Sequence, residues 1–124
     1  MSFEVRVAIP AQSRFLRIAR LTAAGVASDL GFDLRDLEDL RVAVDEMCAV
    51  IIEAAEEDVE LSLTYRAEHG RLVIEGSCPK DGVPAEIHPI ARELLTLTAD
   101  EFDISTDGSI RRFRLVKHPT DRPV

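Results

Sequence analysis

Two cysteines are all that the 124-residue sequence contains, and Cys48 and Cys78 stand in different predicted elements with no CxxC or Cys/His spacing. Neither a disulfide framework nor a zinc site is signalled, and both thiols are expected to be free. No apolar run approaches the roughly 20 residues needed to cross a bilayer, and the opening MSFEVRVAIP lacks the charged-then-apolar order of a signal peptide. The expected localisation is therefore cytoplasmic. Positive charge is scarce as well: 15 Lys and Arg stand against 23 Asp and Glu, a formal charge of −8. A phosphate backbone rewards clustered cations and repels a net anion, so nucleic acid is a poor partner and a basic or neutral protein surface a better one. Internal repeats and low-complexity segments are lacking too.

Hydrophobic residues make up 46% of the chain, enough for one ordinary core at a length too short for two comfortable domains. A single domain over 1–118 is expected, followed by a polar, frayed tail over 119–124. Phe3, Val5, Val7 and Ile9 alternate with Glu4, Arg6 and Ala8, the period of two of a strand with one buried face. Pro10 ends it. From Ala11 to about Leu30, Phe15, Ile18, Ala19, Thr22, Val26 and Leu30 recur at helical spacing, with Gly31 placed as a C-terminal cap. A second helix is expected after Phe32, with Asp33 or Asp36 as N-cap, Leu40, Val44, Met47 and Ile51 on its apolar face, and an end near Glu56.

Val59, Leu61, Leu63 and Tyr65 then alternate with polar residues, and after His69-Gly70 a strand runs through Leu72 and Ile74, which together read as an antiparallel hairpin. Ser77 to Pro84 has no periodicity and is expected to be a loop. Pro89 suits the first turn of a third helix with Ile90, Leu94, Leu95 and Leu97 as its apolar side. Two closing strands follow around Asp107-Gly108. Each of the five strands carries one clearly apolar face, so the expectation is an α+β fold: a mixed sheet of about five strands covered on one face by three helices.

This element order, and above all Leu40 to Glu53 (LRVAVDEMCAVIIE), resembles the anti-sigma regulatory factor family, the serine-kinase-type anti-sigma factors of the histidine-kinase-like ATPase superfamily. The likeness extends over nearly the whole chain, from VRVAIPAQSRFLRIARLTAAGVASDLGF to EFDISTDGSIRRFRLVK. The resemblance implies a two-layer ATPase-type domain in which ATP is held by a Glu and an Asn four apart on the second helix, an Asp-containing loop after the central hairpin, and a glycine-rich turn before the last helix. In that set the Glu acts as base, the Asn oxygen ligates magnesium, and the loop Asp accepts a hydrogen bond from the adenine amino group.

Glu46 matches the first position, but the Asn position is Val50, which has no atom able to ligate a cation. The adenine Asp is expected near Ser77 or Cys78, neither of which carries a carboxylate; Asp81-Gly82 is a remnant only of a rearranged loop. GVPAEIHPIARE has one glycine and two prolines where a phosphate cradle would need more glycine. Without the family, Glu46 reads as a solvated charge. Val42 and Val50 share its side of the helix, so that side is less polar than a free surface, and two coverings stand open: the loop Ser77 to Glu86 folded over a vacated pocket, or a ligand or partner residue. Arg14, Arg17 and Arg20 form an ordinary solvated strip or a contact for an acidic partner or subunit. His69, His88 and His118 read as turn, helix-cap and tail residues without metal-site companions.

Three functions compete. The first is a regulator that binds proteins, switching partners in transcription regulation, with no cofactor; the resemblance implies a sigma factor, an antagonist protein and a homodimer as its contacts. The second is an active serine kinase using ATP and magnesium, with Glu46 catalytic. The third is a small-molecule sensor whose ligand sits in the former nucleotide pocket. Val50, Cys78, Asp81 and Gly82 are the candidate cofactor positions beside Glu46, and no residue is nominated as a metal ligand.

Overall fold

The alternating residues at the N-terminus form β1 (Phe3–Pro10), one edge of a five-stranded sheet in the order β1-β2-β3-β5-β4. The computed structural model describes residues 2–80 and 85–120. The expected first helix starts late. Ala11 still donates its N–H to the Val59 carbonyl at 3.1 Å, which keeps the chain extended past Pro10, and one 3-10 turn (Ser13–Phe15) precedes α1 (Leu16–Ser28). Gly31, at φ 83°, makes the left-handed turn out of that helix.

The second helix, α2 (Leu34–Ile52), opens on a capping box: the Asp36 N–H reaches Asp33 Oδ1 at 2.8 Å, and the Asp33 N–H reaches Asp36 Oδ2 at 3.2 Å. It ends at Ile52 and not near Glu56. Ala54 takes a left-handed conformation, φ 57°, and Arg111 Nη1 donates to the Glu53 carbonyl at 2.9 Å, satisfying one of the orphan acceptors there. The hairpin is as expected: β2 (Glu60–Glu68) and β3 (Arg71–Pro79) are joined by His69 and Gly70 at φ 53° and 77°, the paired left-handed residues that match strand twist. Ser77 and Cys78, expected in a loop, belong to β3 because β5 (Ile110–Lys117) offers them Arg112 and Arg111 as partners. Residues 81–84 of that expected loop lie outside the described residues.

Pro89 opens α3 (Pro89–Thr98), as expected, but the helix is rotated relative to the expected apolar side. Ala91, Leu95 and Thr98 face inward, whereas Ile90 and Leu97 are 76% and 74% exposed. A small residue at 91 lets α3 approach α2, and Thr98 is buried at little cost because its hydroxyl bonds the Leu94 carbonyl at 2.7 Å. From α3 the chain enters β4 (Glu101–Asp107), paired to β5. The sheet is antiparallel throughout and not mixed. The reason is positional: β3 and β4, joined through α3, run the same way, but β5 lies between them and bonds both.

The helices cover one face, where Leu61, Leu63, Tyr65, Leu72, Ile74 and Leu115 meet Leu16 and Ala19 of α1 and Leu40, Val44, Met47 and Ile51 of α2. The buried Tyr65 hydroxyl donates to the Ala19 carbonyl at 2.9 Å and ties α1 to the sheet. On this face Gly76 sits beneath Phe113, where a Cβ would overlap the ring. The other face is polar, with one departure from the expected single apolar face. Val73 and Val116 are fully buried there, in a cross-strand row running Arg66, Val73, Val116, Glu101. Arg66 pairs with Glu75, and Arg71 and Arg114 with Glu101, so long side chains close over the valines. The tail is not frayed from His118: its N–H bonds Asp100 Oδ2 at 2.8 Å, and Thr120 bonds Asp36.

Candidate functional site

Helix α2 lies between α1 and α3, and its two flanks differ. On the α3 flank Val50 is 6% exposed, and Glu46 is half-buried at the rim. Together with Ala49, Glu53, His88 and Ala91 they line a hollow of about 230 Å3. Val50 is thus covered by α3 and the residue capping it. Ala85, within the loop expected to fold down, instead donates its N–H to Thr106 Oγ1 of β4 at 3.2 Å. Val42 is half-buried in a separate hollow with Arg20, Arg41, Asp45 and Glu46.

The two positions nominated for an adenine carboxylate point opposite ways. Ser77 lies on the open face of the sheet, beside Ser62, Thr64 and Arg112, away from α2. Cys78 is on the helix-covered face and fully buried. Burial pushes its thiol pKa up, against the opposing charges of Arg111 and Lys80, so it stays a neutral thiol. Asp81 and Gly82 lie outside the described residues. Across from Cys78, Arg111 is 7% exposed and spans from β5 to the end of α2. Sequence reasoning passed over it. The available signal was the Arg111-Arg112 pair, since adjacent strand residues face opposite ways and one of two arginines had to face the helices.

The arginine strip does not act as one surface. Arg14 lies over the Phe15 ring at 4.9 Å. Arg20 bridges to α2 through Asp45 Oδ1 at 2.6 Å. Arg17 and Arg20 join Arg41, which the sequence reading did not single out, around a groove of about 310 Å3 floored by Leu21, Ala24, Leu34 and Leu37. Leu21 and Leu34 are 70% and 77% exposed. Three guanidinium groups and one carboxylate, Glu38, edge an apolar groove in a chain of net charge −8.

Among the described residues no group of His, Cys, Asp and Glu is arranged to hold a metal ion, and no helix is long and apolar enough to cross a membrane. His69 sits in the hairpin turn, as expected. His88 caps α3 with Nε2 3.8 Å from Glu53, and His118 Nδ1 lies 3.3 Å from Asp100.

No family model matches the chain. The proteins named serine-protein kinase RsbW from Bacillus thuringiensis and Bacillus mycoides are each 38% identical to it over 73 residues, 57% of this chain and 46% of each relative. The chain thus matches under half the length of these curated relatives. A crystal structure of the RsbU and RsbW domains of a Mycobacterium tuberculosis protein superposes on 98% of this chain and 33% of that one, with a TM-score of 0.70 and 16% identity. That likeness carries the α+β fold. The resemblance to anti-sigma regulatory factors is borne out: the chain is RsbW-like in sequence over the matched segment and in fold over nearly all its length.

Proposed function

From this RsbW-like sequence and fold, we propose that the chain is an anti-sigma-factor-like regulator that works by binding proteins and has given up ATP-dependent phosphorylation. The observation that carries the reading is Val50, an aliphatic side chain standing where the family places a magnesium-ligating amide, and buried against α3. Among the described residues the donor set does not fit a magnesium-nucleotide: position 50 offers no oxygen, Cys78 is a buried neutral thiol, and Ser77 faces the other side of the sheet. The hollow beside Val50, at about 230 Å3, falls below the roughly 300–1,000 Å3 of ordinary small-molecule sites. This weighs against a ligand at Val50, while the adjoining hollow at Val42 and Glu46, at about 310 Å3, stands at the lower limit of that range.

Binding is assigned to the groove between α1 and α2. Its apolar floor favours an amphipathic segment, and Arg17, Arg20 and Arg41 favour acidic residues flanking it. A sigma factor or an antagonist of the anti-sigma type is the partner class that the resemblance suggests. The alternative of an active serine kinase keeps two points in its favour: the name serine-protein kinase carried by the relatives it resembles, and the half-exposed Glu46 at the rim of the hollow, in the position of the family's base.

Two measurements test the proposal. Titration with ATP and magnesium is expected to show no saturable binding in the micromolar range; such binding would overturn the loss of the cofactor. Affinity capture from the native cell is expected to recover a sigma factor or an antagonist-type protein, and Arg17→Glu to recover less of it. Recovery of neither sinks the regulatory reading.

A further inference from the structure

We propose that the segment from His118 to Thr120 is a latch that sets the shape of the groove between α1 and α2, and with it the affinity of that groove; the inference rests on the groove being the partner face. Thr120, 84 residues from Asp36 in sequence, gives the Asp36 carboxylate two hydrogen bonds. Its hydroxyl reaches Oδ1 at 2.7 Å and its N–H reaches Oδ2 at 3.2 Å. Asp36 is 1% exposed, and the same carboxylate accepts the Asp33 N–H that closes the capping box. One buried side chain therefore joins the start of α2 to the far end of the chain.

Two contacts hold the strap on the N-terminal side of Thr120. Lys117 Nζ stands 3.9 Å from Asp39 on α2. His118 is fixed to Asp100, between α3 and β4, by its N–H at 2.8 Å and its ring at 3.3 Å. The strap thus ties the beginning of α2 to the end of α3.

What the latch holds is the α2 part of the groove's floor. Leu34, Leu37 and Glu38, in the first turns of α2, line the groove. First-turn N–H groups lack intrahelical acceptors, so the order of this turn depends on the capping box, and Asp36 belongs to the box and the latch alike. Thr120 itself is exposed, so the latch opens from the surface with no need to disturb the sheet. Released, Asp36 keeps its bond to Asp33 but loses both donors from Thr120. The turn then moves more freely, and Leu34 and Leu37 hold the groove less firmly.

Amide hydrogen exchange on the full chain decides the point. Thr120→Ala removes the hydroxyl donor and Thr120→Pro removes both donors. Exchange over residues 34–38 is expected to rise about tenfold in the first variant and further in the second, with β2 and β3 unchanged. Anilinonaphthalene sulfonate, an apolar dye with one negative charge, serves as the groove probe, and its affinity is expected to fall several-fold in both. Arg17→Glu is expected to weaken dye binding about tenfold with exchange over 34–38 unchanged, which reports on the groove alone. Equal exchange over 34–38 in all three chains overturns the latch. Raised exchange with unchanged dye affinity overturns its control of the groove. If the wild-type chain binds no dye, the groove reading fails, and the exchange result by itself upholds or overturns the latch.

Discussion

Replacing Val50 with asparagine separates a filled site from a vacant cradle. In the structure Val50 is 6% exposed, with Ala49 and Ala91 among its neighbours. Full burial of a valine side chain is worth about 1.5–3 kcal/mol, and a buried amide left without a partner costs about 1–3 kcal/mol. Asparagine keeps the Cβ and a similar volume, so the change is mainly one of polarity. The expected loss is about 2–4 kcal/mol, which for a domain of this size lowers Tm by roughly 10 °C. Thermal unfolding followed by circular dichroism measures it, and calorimetric titration with ATP and magnesium accompanies it. The expected variant is less stable and binds no nucleotide. A melting point within about 2 °C of the wild type, or a new magnesium-dependent ATP affinity, would refute the reasoning: position 50 would then face a wet, open pocket, and one restored amide would suffice to rebuild it.

Other changes test the packing elsewhere in the domain. Gly76→Ala drives a methyl into the Phe113 ring, and overpacking of this kind is expected to cost about 1–3 kcal/mol in urea unfolding, with partial recovery in the double variant carrying Phe113→Leu. Asp36 has its pKa lowered from 3.8 to about 2; burial pushes it up, but hydrogen bonds from Thr120 and Asp33 and the charge of Lys117 outweigh burial. Its folded pKa is depressed, so its stabilisation of about 2 kcal/mol is present above the unfolded value near pH 4 and is lost as pH falls toward 2. Asp36→Asn is therefore expected to be less stable at neutral pH and to show a shallower loss of stability between pH 4 and pH 2. Arg111→Met keeps the aliphatic stem and loses the bond to Glu53, for an expected cost of about 1–3 kcal/mol in the same urea assay. Cys48 is fully buried, and burial together with the Asp45 charge pushes its thiol pKa up. It is expected to react with a thiol reagent only in denaturant; rapid modification of the native chain at neutral pH would contradict the packing of α2.

Features that a short stretch of sequence encodes were legible in advance. The alternation in β1 and β2, an N-cap at Asp33 or Asp36 for α2, Pro89 at the start of α3 and the hairpin at His69-Gly70 each rest on neighbouring residues, and each is found, with Asp33 as the cap. Features that depend on what another element presents were not. The inward side of α3 could not be chosen by hydrophobicity, because Ala91 and Thr98 face in while Ile90 and Leu97 face out. Cys78 extends β3 because β5 arrives beside it, and Ser77 is held there by β2 and β5 together. The bond from Thr120 to Asp36 spans most of the chain and leaves no local pattern. At the site, the valines at 42 and 50 gave fair warning that the acidic side of α2 is not free surface. That α3 is what lies over Val50 could not be read from them.

At long range the net charge of −8 opposes an acidic partner. The relevant distance is shorter than the molecule. At physiological ionic strength the Debye length is about 8 Å, so a docking segment feels chiefly the groups that edge the groove. Those groups are Arg17, Arg20 and Arg41 against Glu38. Arg20 is already shared with Asp45 at 2.6 Å, which leaves Arg17 and Arg41 to supply most of the attraction. Both lie at the rim of the groove and not under it, so each acts mainly on the rate of encounter. Arg17→Glu and Arg41→Glu are accordingly expected to slow partner association by roughly tenfold each at low salt, with little change in dissociation, and the difference from wild type is expected to shrink as salt rises. Surface plasmon resonance with the captured partner at two salt concentrations measures both rates. A salt-independent loss carried by dissociation alone would mean that the apolar floor does the binding and that the arginines face something other than an acidic partner.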